Sequence, residues 1–346
     1  MQVFYVSPWM SPEFIEAHGL EPRGAWFADE PNHLPPAAGA CAFAQTLIRL
    51  AETHPNSAVV FPSHCDQLRR GFDAVARAAP GRVFLFNLPA TWQTAVGERI
   101  FRAELERLGG FLVRLGGRPP SAVDLAITMG RYAVARCRLL EAAGRLPARS
   151  YCEALARFHW DGTLDVSQQG SAPQPGSIPL ALVGGPLPPR QMHVLDVIER
   201  AGGRVVVDAT ETGERSLGPG QDADQGHAAD ETVPDLLQRL THSCLERCVD
   251  VFQRPNTRLY LWLKQRLSTR QVRGILLWHF IGCDLWRAEA QPLQDAFGLP
   301  VLLLEAHEAP TDPLRRSGRI QAFLESLSSD ASVKPRARTG AFAWPV

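Results

Sequence analysis

Residues 57–70 read SAVVFPSHCDQLRR. A run of apolar residues, Ala58 to Phe61, ends in a proline and a serine, and then presents Cys65-Asp66 before a charged amphipathic stretch. The pattern is that of a buried strand running into a helix. The cysteine falls at the strand's carboxyl end, where ligands gather in open α/β sheets. The same arrangement recurs at 274–286, GILLWHFIGCDLW, which closes on Cys283-Asp284. A third cysteine, Cys41, lies in PPAAGACAFAQT at 35–46, at the head of another apolar run. Thiolates delivered to strand and helix ends in this way can converge on one metal centre.

Outward from these stretches the chain alternates strands and helices. In the first half, strands are expected at 3–6, 58–61 and 82–88, with helices at 11–18, 41–51 and 66–79. Ser11-Pro12-Glu13 supplies a capping residue and then a proline at the first helical position. From about 91 to 148 the period changes. GERIFRAELERLGGFLVRLGG and SAVDLAITMGRYAVARCRLLEAAG carry apolar residues at three- and four-residue spacing and predict two or three long helices. Residues 168–177, QQGSAPQPGS, form a connector without apolar period and place a boundary between two units. Beyond it, strands are expected at 178–183, 204–207, 274–278 and 301–305. Helices are expected at 188–201, 235–244, 257–267, 287–297 and 315–327. Residues 213–232 read as a long exposed loop, and the tail from 328 lacks any period. The reading is an α/β protein of two Rossmann-like lobes with parallel sheets and a helical segment between them. The amino-terminal lobe spans 1–170 with its helical insert at about 91–148, the carboxyl-terminal lobe spans 178–327, and 328–346 is a tail.

Composition narrows the function classes. The chain has 346 residues, with 36 Lys+Arg balanced by 36 Asp+Glu. A neutral chain gives no electrostatic reason to expect a nucleic acid or an anionic membrane as partner. The longest apolar stretches fall well short of the roughly 20 residues that cross a bilayer. The opening MQVFYVSPWM has neither a basic segment nor an apolar core of the secretory kind, so a cytoplasmic location is expected. Seven cysteines in such a chain point to reduced thiols or metal ligands rather than a disulfide framework.

Taken in order, six segments resemble the 2-hydroxyacyl-CoA dehydratase and benzoyl-CoA reductase family of iron–sulfur subunits. Ser11-Pro12-Glu13-Phe14-Ile15 followed by Ala17-His18-Gly19-Leu20 resembles the family's PEEII-AAG-P opening, and Val59 to Asp66 resembles VVFPNTCD. Ala181-Leu182-Val183-Gly184-Gly185-Pro186 resembles the strand and turn that open the second domain. Ala201 to Asp208 with Thr212-Gly213-Glu214-Arg215 resembles AGG-VV-DD…TG-R. Phe280 to Asp284 resembles KFCD, although His279-Phe280-Ile281-Gly282 stands where the family has a lysine and phenylalanine close to the cysteine. Gly298 to Glu305, with Arg319 to Glu325, resembles the carboxyl-terminal GIPVL-IE…TRIEAFLE.

The resemblance implies a 4Fe–4S cluster held by three cysteines, here Cys41, Cys65 and Cys283, with one iron left open. It implies an acyl-CoA substrate and a radical reaction. An electron placed on the thioester carbonyl gives a ketyl that expels the 2-hydroxyl and acidifies the β-hydrogen. Cluster potential follows from ligands, hydrogen bonds to sulfur and exposure. Small neighbours of the cysteines, Ala38, Gly39, Ala40, Ala42 and Gly282, let backbone amides approach. Such electrons are driven uphill by a separate ATP-dependent activator, because this chain has no Walker A loop of its own. A homologous subunit as heterodimer partner, or a homodimer, is implied as well. A benzoyl-CoA reductase or double-cubane reductase subunit, and a non-catalytic electron-relay subunit, remain as alternatives within the family.

Other residues have plainer readings beside the functional ones. His64 and His279 each neighbour a ligand cysteine and are candidates for a proton relay or a hydrogen bond to the cluster; packing at a domain interface explains them equally well. Glu13 is a candidate for the site by its match to the opening segment, against a simple capping role. Zinc is a rival for the cysteines, but it prefers four ligands and local Cys pairs. Cys244 and Cys248, with His242 nearby, lack two further ligands, and Cys137 and Cys152 read as structural. Gly184-Gly185-Pro186 with Asp208 imitates a dinucleotide fingerprint, with the wrong glycine spacing; the turn can instead meet a CoA phosphate. Arg69 and Arg70 read as a solvated helix face.

Overall fold

The computed structural model describes residues 1–6, 8–27, 40–166, 176–218, 231–247, 249–306 and 313–329. Most of the connector at 168–177, most of the loop at 213–232, nearly all of the tail, and Ala38, Gly39 and Cys248 lie outside the described residues.

Strands β1 (Gln2–Tyr5), β2 (Glu21–Gly24), β3 (Ala58–Pro62) and β4 (Val83–Phe86) form a parallel sheet in the order β2-β1-β3-β4. Strands β5 (Ile178–Gly184), β6 (Gly203–Thr210), β7 (Gly274–Phe280) and β8 (Val301–Ala306) form a second parallel sheet, in the order β6-β5-β7-β8. The expected α/β architecture of two lobes is therefore present. The two sheets share one topology. In each, the first strand lies between the second and the third, so the chain reverses direction between β1 and β3, and again between β5 and β7. Those reversals open the crevices in which α/β sheets take ligands.

The first-lobe helices are α1 (Pro12–Ala17), α2 (Ala42–Thr53) and α3 (Asp66–Ala76). The expected helical insert at about 91–148 forms two long helices, α4 (Ala95–Arg114) and α5 (Ala122–Ala142); a third, α6 (Ala148–Asp161), follows in a stretch where the sequence reading placed no helix. Thr94 caps α4 by accepting from the Gly97 amide at 3.0 Å, and Ser121 caps α5 by accepting from the Asp124 amide at 3.1 Å. The second half of the chain carries α7 (His193–Arg200), α8 (Val233–Arg247), α9 (Thr257–Thr269), α10 (Asp284–Ala288), α11 (Ala290–Phe297) and α12 (Pro313–Ser329).

Three details differ from the sequence expectation. The segment EPRG forms β2, an edge strand that among the described residues pairs only with β1. Its proline and charges carry no strand signal, and an edge position tolerates both. The helix expected over 188–201 is a short 3₁₀ turn at Pro189–Gln191 followed by α7, and that expected over 287–297 is replaced by α10 and α11, broken at Glu289. Finally, α8 lies in the second half of the sequence, yet Leu236, Leu240, Cys244 and Leu245 are buried in the same core cluster as Val3, Val60, Phe101 and Leu105. The helix thus crosses back and packs on the first lobe. Among the described residues no helix is long and apolar enough to cross a membrane.

Candidate functional site

Cys41, Cys65 and Cys283 occupy one structural position three times over. Each is the residue that precedes a helix: Cys41 before α2, Cys65 before α3 and Cys283 before α10. Cys65 follows β3 and Cys283 follows β7, the third strand of each sheet and the strand that borders the topological reversal. The Cys-Asp repetition in the sequence therefore marks equivalent corners of two like lobes. Gly282, at φ +84°, makes the turn that lifts the chain off β7, and the Cys283 amide closes it on the Phe280 carbonyl at 3.0 Å.

Contacts across the seam draw these corners together. The Cys41 amide donates to the Gln67 side-chain oxygen at 2.9 Å, which ties the start of α2 to the start of α3. Cys41, Cys65, Phe43 and Phe252 all pack against the first-lobe core. Ala42, Phe43 and Cys283 pack against the core of the second lobe. Phe252, from the loop after α8, touches the cores of both lobes.

Electrostatics show how the thiols sense one another. All three are partly buried, and burial pushes each thiol up, Cys283 to about 12. Backbone amides at the helix starts oppose this: those of Ala44 and Phe43 at Cys41, Leu68 and Gln67 at Cys65, and Trp286 at Cys283. They favour the thiolate without closing a full capping hydrogen bond. Cys65 lies within electrostatic reach of both Cys41 and Cys283 and raises each. Glu211 raises all three. A metal centre bound here would convert the thiols to thiolate ligands.

Among the described residues no group of three or more His, Cys, Asp and Glu side chains is arranged to hold a metal ion. An iron–sulfur cubane makes a different demand, because its ligand sulfurs bind separate irons and stand farther apart than those around one ion. Three thiols offered by three helix starts, each with amides facing the sulfur, suit that larger cation.

His64 lies at the seam, against Phe252. His64 stacks on Trp9, centroids 4.8 Å apart, and meets the edge of Phe252 at 4.5 Å. Its Nδ1 is sealed from solvent without a partner among the described residues. Burial, with the charge of Arg69, pushes it down to about 3, so the ring is neutral. His279 is buried within β7, its Nδ1 3.2 Å from the Phe280 carbonyl. The Glu13 carboxylate accepts from Arg136 at 2.6 Å and Arg247 at 3.2 Å, and its charge raises the Cys244 thiol. Arg69 and Arg70 are exposed, and Arg69 pairs with Asp66 at 3.4 Å. Cys152 donates to Asp208 at 3.2 Å inside the protein, and Cys244 accepts from Arg247 at 2.9 Å.

Gln67, Phe252 and Glu211 are additions that sequence reading did not single out. Glu211 had one available signal, an acidic residue directly after an apolar strand. Gln67 and Phe252 had none, since their role depends on which loops the fold brings together.

The family model for 2-hydroxyglutaryl-CoA dehydratase, D-component, matches residues 9–327. No curated protein matches the chain.

Proposed function

Because the chain belongs to the 2-hydroxyglutaryl-CoA dehydratase D-component family, we propose that it is the iron–sulfur subunit of a 2-hydroxyacyl-CoA dehydratase-like enzyme. In this reading Cys41, Cys65 and Cys283 hold a 4Fe–4S cluster. The supporting observation is that these thiols, drawn from both lobes, stand at three helix starts and are electrostatically coupled through Cys65. When bound, such a cluster supplies a low-potential electron and an open iron for the substrate oxygen.

The chain's own residues have distinct tasks in this reading. The helix starts stabilise the thiolates. Phe43 and Phe252 exclude water from the seam, which strengthens every electrostatic interaction inside it. His64, neutral, stacked on Trp9 and one residue before Cys65, adds no charge to the seam. A homologous partner subunit and an ATP-dependent activator complete the enzyme.

The test is iron and sulfide analysis with EPR on anaerobically purified protein, alone and with a homologous partner. Turnover of 2-hydroxyacyl-CoA and aryl-CoA thioesters is then measured with and without activator and ATP. About four irons per chain and turnover that requires the activator support the reading. Turnover in air by iron-free protein would sink it.

A further inference from the structure

Asp208, Glu211 and Glu214 crowd the segment that leaves β6, and all are buried. Asp208 is saturated: it accepts from the Thr210 amide at 3.0 Å, the Thr210 hydroxyl at 2.6 Å and the Cys152 thiol at 3.2 Å. Glu214 is paired with Arg266 at 3.3 Å and Arg270 at 2.5 Å. Glu211 differs. Its Oε1 is sealed from solvent and meets no hydrogen-bond donor among the described residues. The cation that acts on it, Arg215, is committed to other groups. Arg215 donates to the carbonyls of Ala209 at 2.7 Å, Val249 at 2.8 Å and Gly184 at 2.5 Å, and is ion-paired with Asp250.

The position of Glu211 gives this unpartnered oxygen its meaning. Its amide reaches the Gly185 carbonyl at 3.3 Å, which fixes it at the carboxyl ends of β5 and β6, beside the reversal between β5 and β7. Cys283 follows β7, the strand on the other side of that reversal. A buried polar atom left unpaired costs about 1–3 kcal/mol. Native interiors keep such atoms where function or a bound group accounts for them.

We propose that Glu211 is a substrate-contacting residue of the cysteine site, whose unpartnered oxygen takes up the 2-hydroxyl group of the acyl thioester. The proposal rests on the acyl-CoA reading above. A hydroxyl both donates and accepts, so it satisfies this carboxyl whether or not the carboxyl carries a proton; a thioester carbonyl can only accept. Burial and the neighbouring Asp250 raise the affinity of Glu211 for its proton, which lets it act as donor to the hydroxyl oxygen.

The experiment measures equilibrium binding to the anaerobic, metal-loaded full chain with its partner, without activator or ATP, so that no turnover occurs. The probes are 2-hydroxyglutaryl-CoA against glutaryl-CoA, and lactoyl-CoA against propionyl-CoA. Wild type should prefer at least one hydroxylated ester by about tenfold or more, the signature of a site built to meet a hydroxyl. E211A should weaken that ester by about tenfold and leave its deoxy analogue within about twofold. E211M, which keeps volume without hydrogen bonding, should behave as E211A, and it carries the measurement if E211A does not fold. E211Q should recover most of the preference. Undiminished preference in E211A or E211M, or equal weakening of both esters, overturns the assignment while leaving the acyl-CoA reading intact. Wild type that binds none of the four esters overturns both.

Discussion

Arg247 Nη1 lies 3.2 Å from Glu13 Oε1, and both side chains are shielded from water. The two residues are 234 positions apart, one at the start of α1 and the other at the end of α8. Arg136 from α5 completes the cluster at 2.6 Å from Glu13 Oε2. One carboxylate thus fastens three helices of the first lobe, and α8 is held there although its sequence neighbours belong to the second.

Removing Glu13 leaves two guanidinium groups facing each other without a counter-charge. E13A should cost about 3–5 kcal/mol of stability, the usual consequence of breaking a buried pair from one side. Urea unfolding of wild type and variant checks this. A loss below about 1 kcal/mol would mean that water or another acid takes over the role.

Acid should weaken the fold through His159. Burial, with the charge of Arg136, pushes this imidazole from its ordinary 6.5 to about 3. The unfolded chain therefore binds a proton that the folded chain refuses. Stability is complete above about pH 6.5 and falls as pH drops toward 3. His159 Nε2 and Ser216 Oγ are 2.8 Å apart, so H159Q keeps a hydrogen-bonding side chain without a titrating ring. Between pH 7 and 5, wild type should lose about 2 kcal/mol more than H159Q. Parallel slopes would contradict the buried neutral ring. At lower pH Glu13 adds to the loss. Burial raises its pKa, but Arg136 and Arg247 outweigh that and hold it at about 2 against 4.5, so its contribution disappears from about pH 4.5 downward.

Two glycines near the strand ends should respond differently to alanine. Gly184 has φ +142°, and a Cβ there would sit 1.8 Å from the Trp278 carbonyl oxygen. G184A should fail to fold or lose more than about 3 kcal/mol, since backbone cannot yield as a side chain does. Gly282 has φ +84° with nothing within 4 Å of a Cβ, so G282A should carry only the backbone cost of about 1–2 kcal/mol. Thermal melts of both variants check the ranking, and equal losses would refute it.

Cysteine variants should separate the site from the rest of the thiols. In anaerobic protein, C65A and C283A should each lose the iron chromophore, while C137A on α5 keeps it. The measurement is iron per chain and visible absorbance. Full iron in both C65A and C283A would remove the basis for the proposed centre.

Much of this was written locally. Strand, Cys-Asp and amphipathic helix occur in one short stretch at 57–70 and again at 274–286, so both lobes and both corners are legible from period and composition. The hydrophobic spacing of α4 and α5, with Thr94 and Ser121 as caps, is equally local. What tertiary structure decided is everything that depends on chain return. EPRG becomes a strand only because β1 offers an edge. The apolar face of α8 fits either lobe by sequence and is assigned to the first by Glu13 and the core around Phe101. Glu211 looks like one more acidic residue in a polar turn until the folded chain gives Asp208 and Glu214 their partners and leaves its Oε1 without one among the described residues. Periodicity encodes which face of an element is apolar; it does not encode which distant surface covers that face, because that choice is a balance of packing and charge between segments hundreds of residues apart.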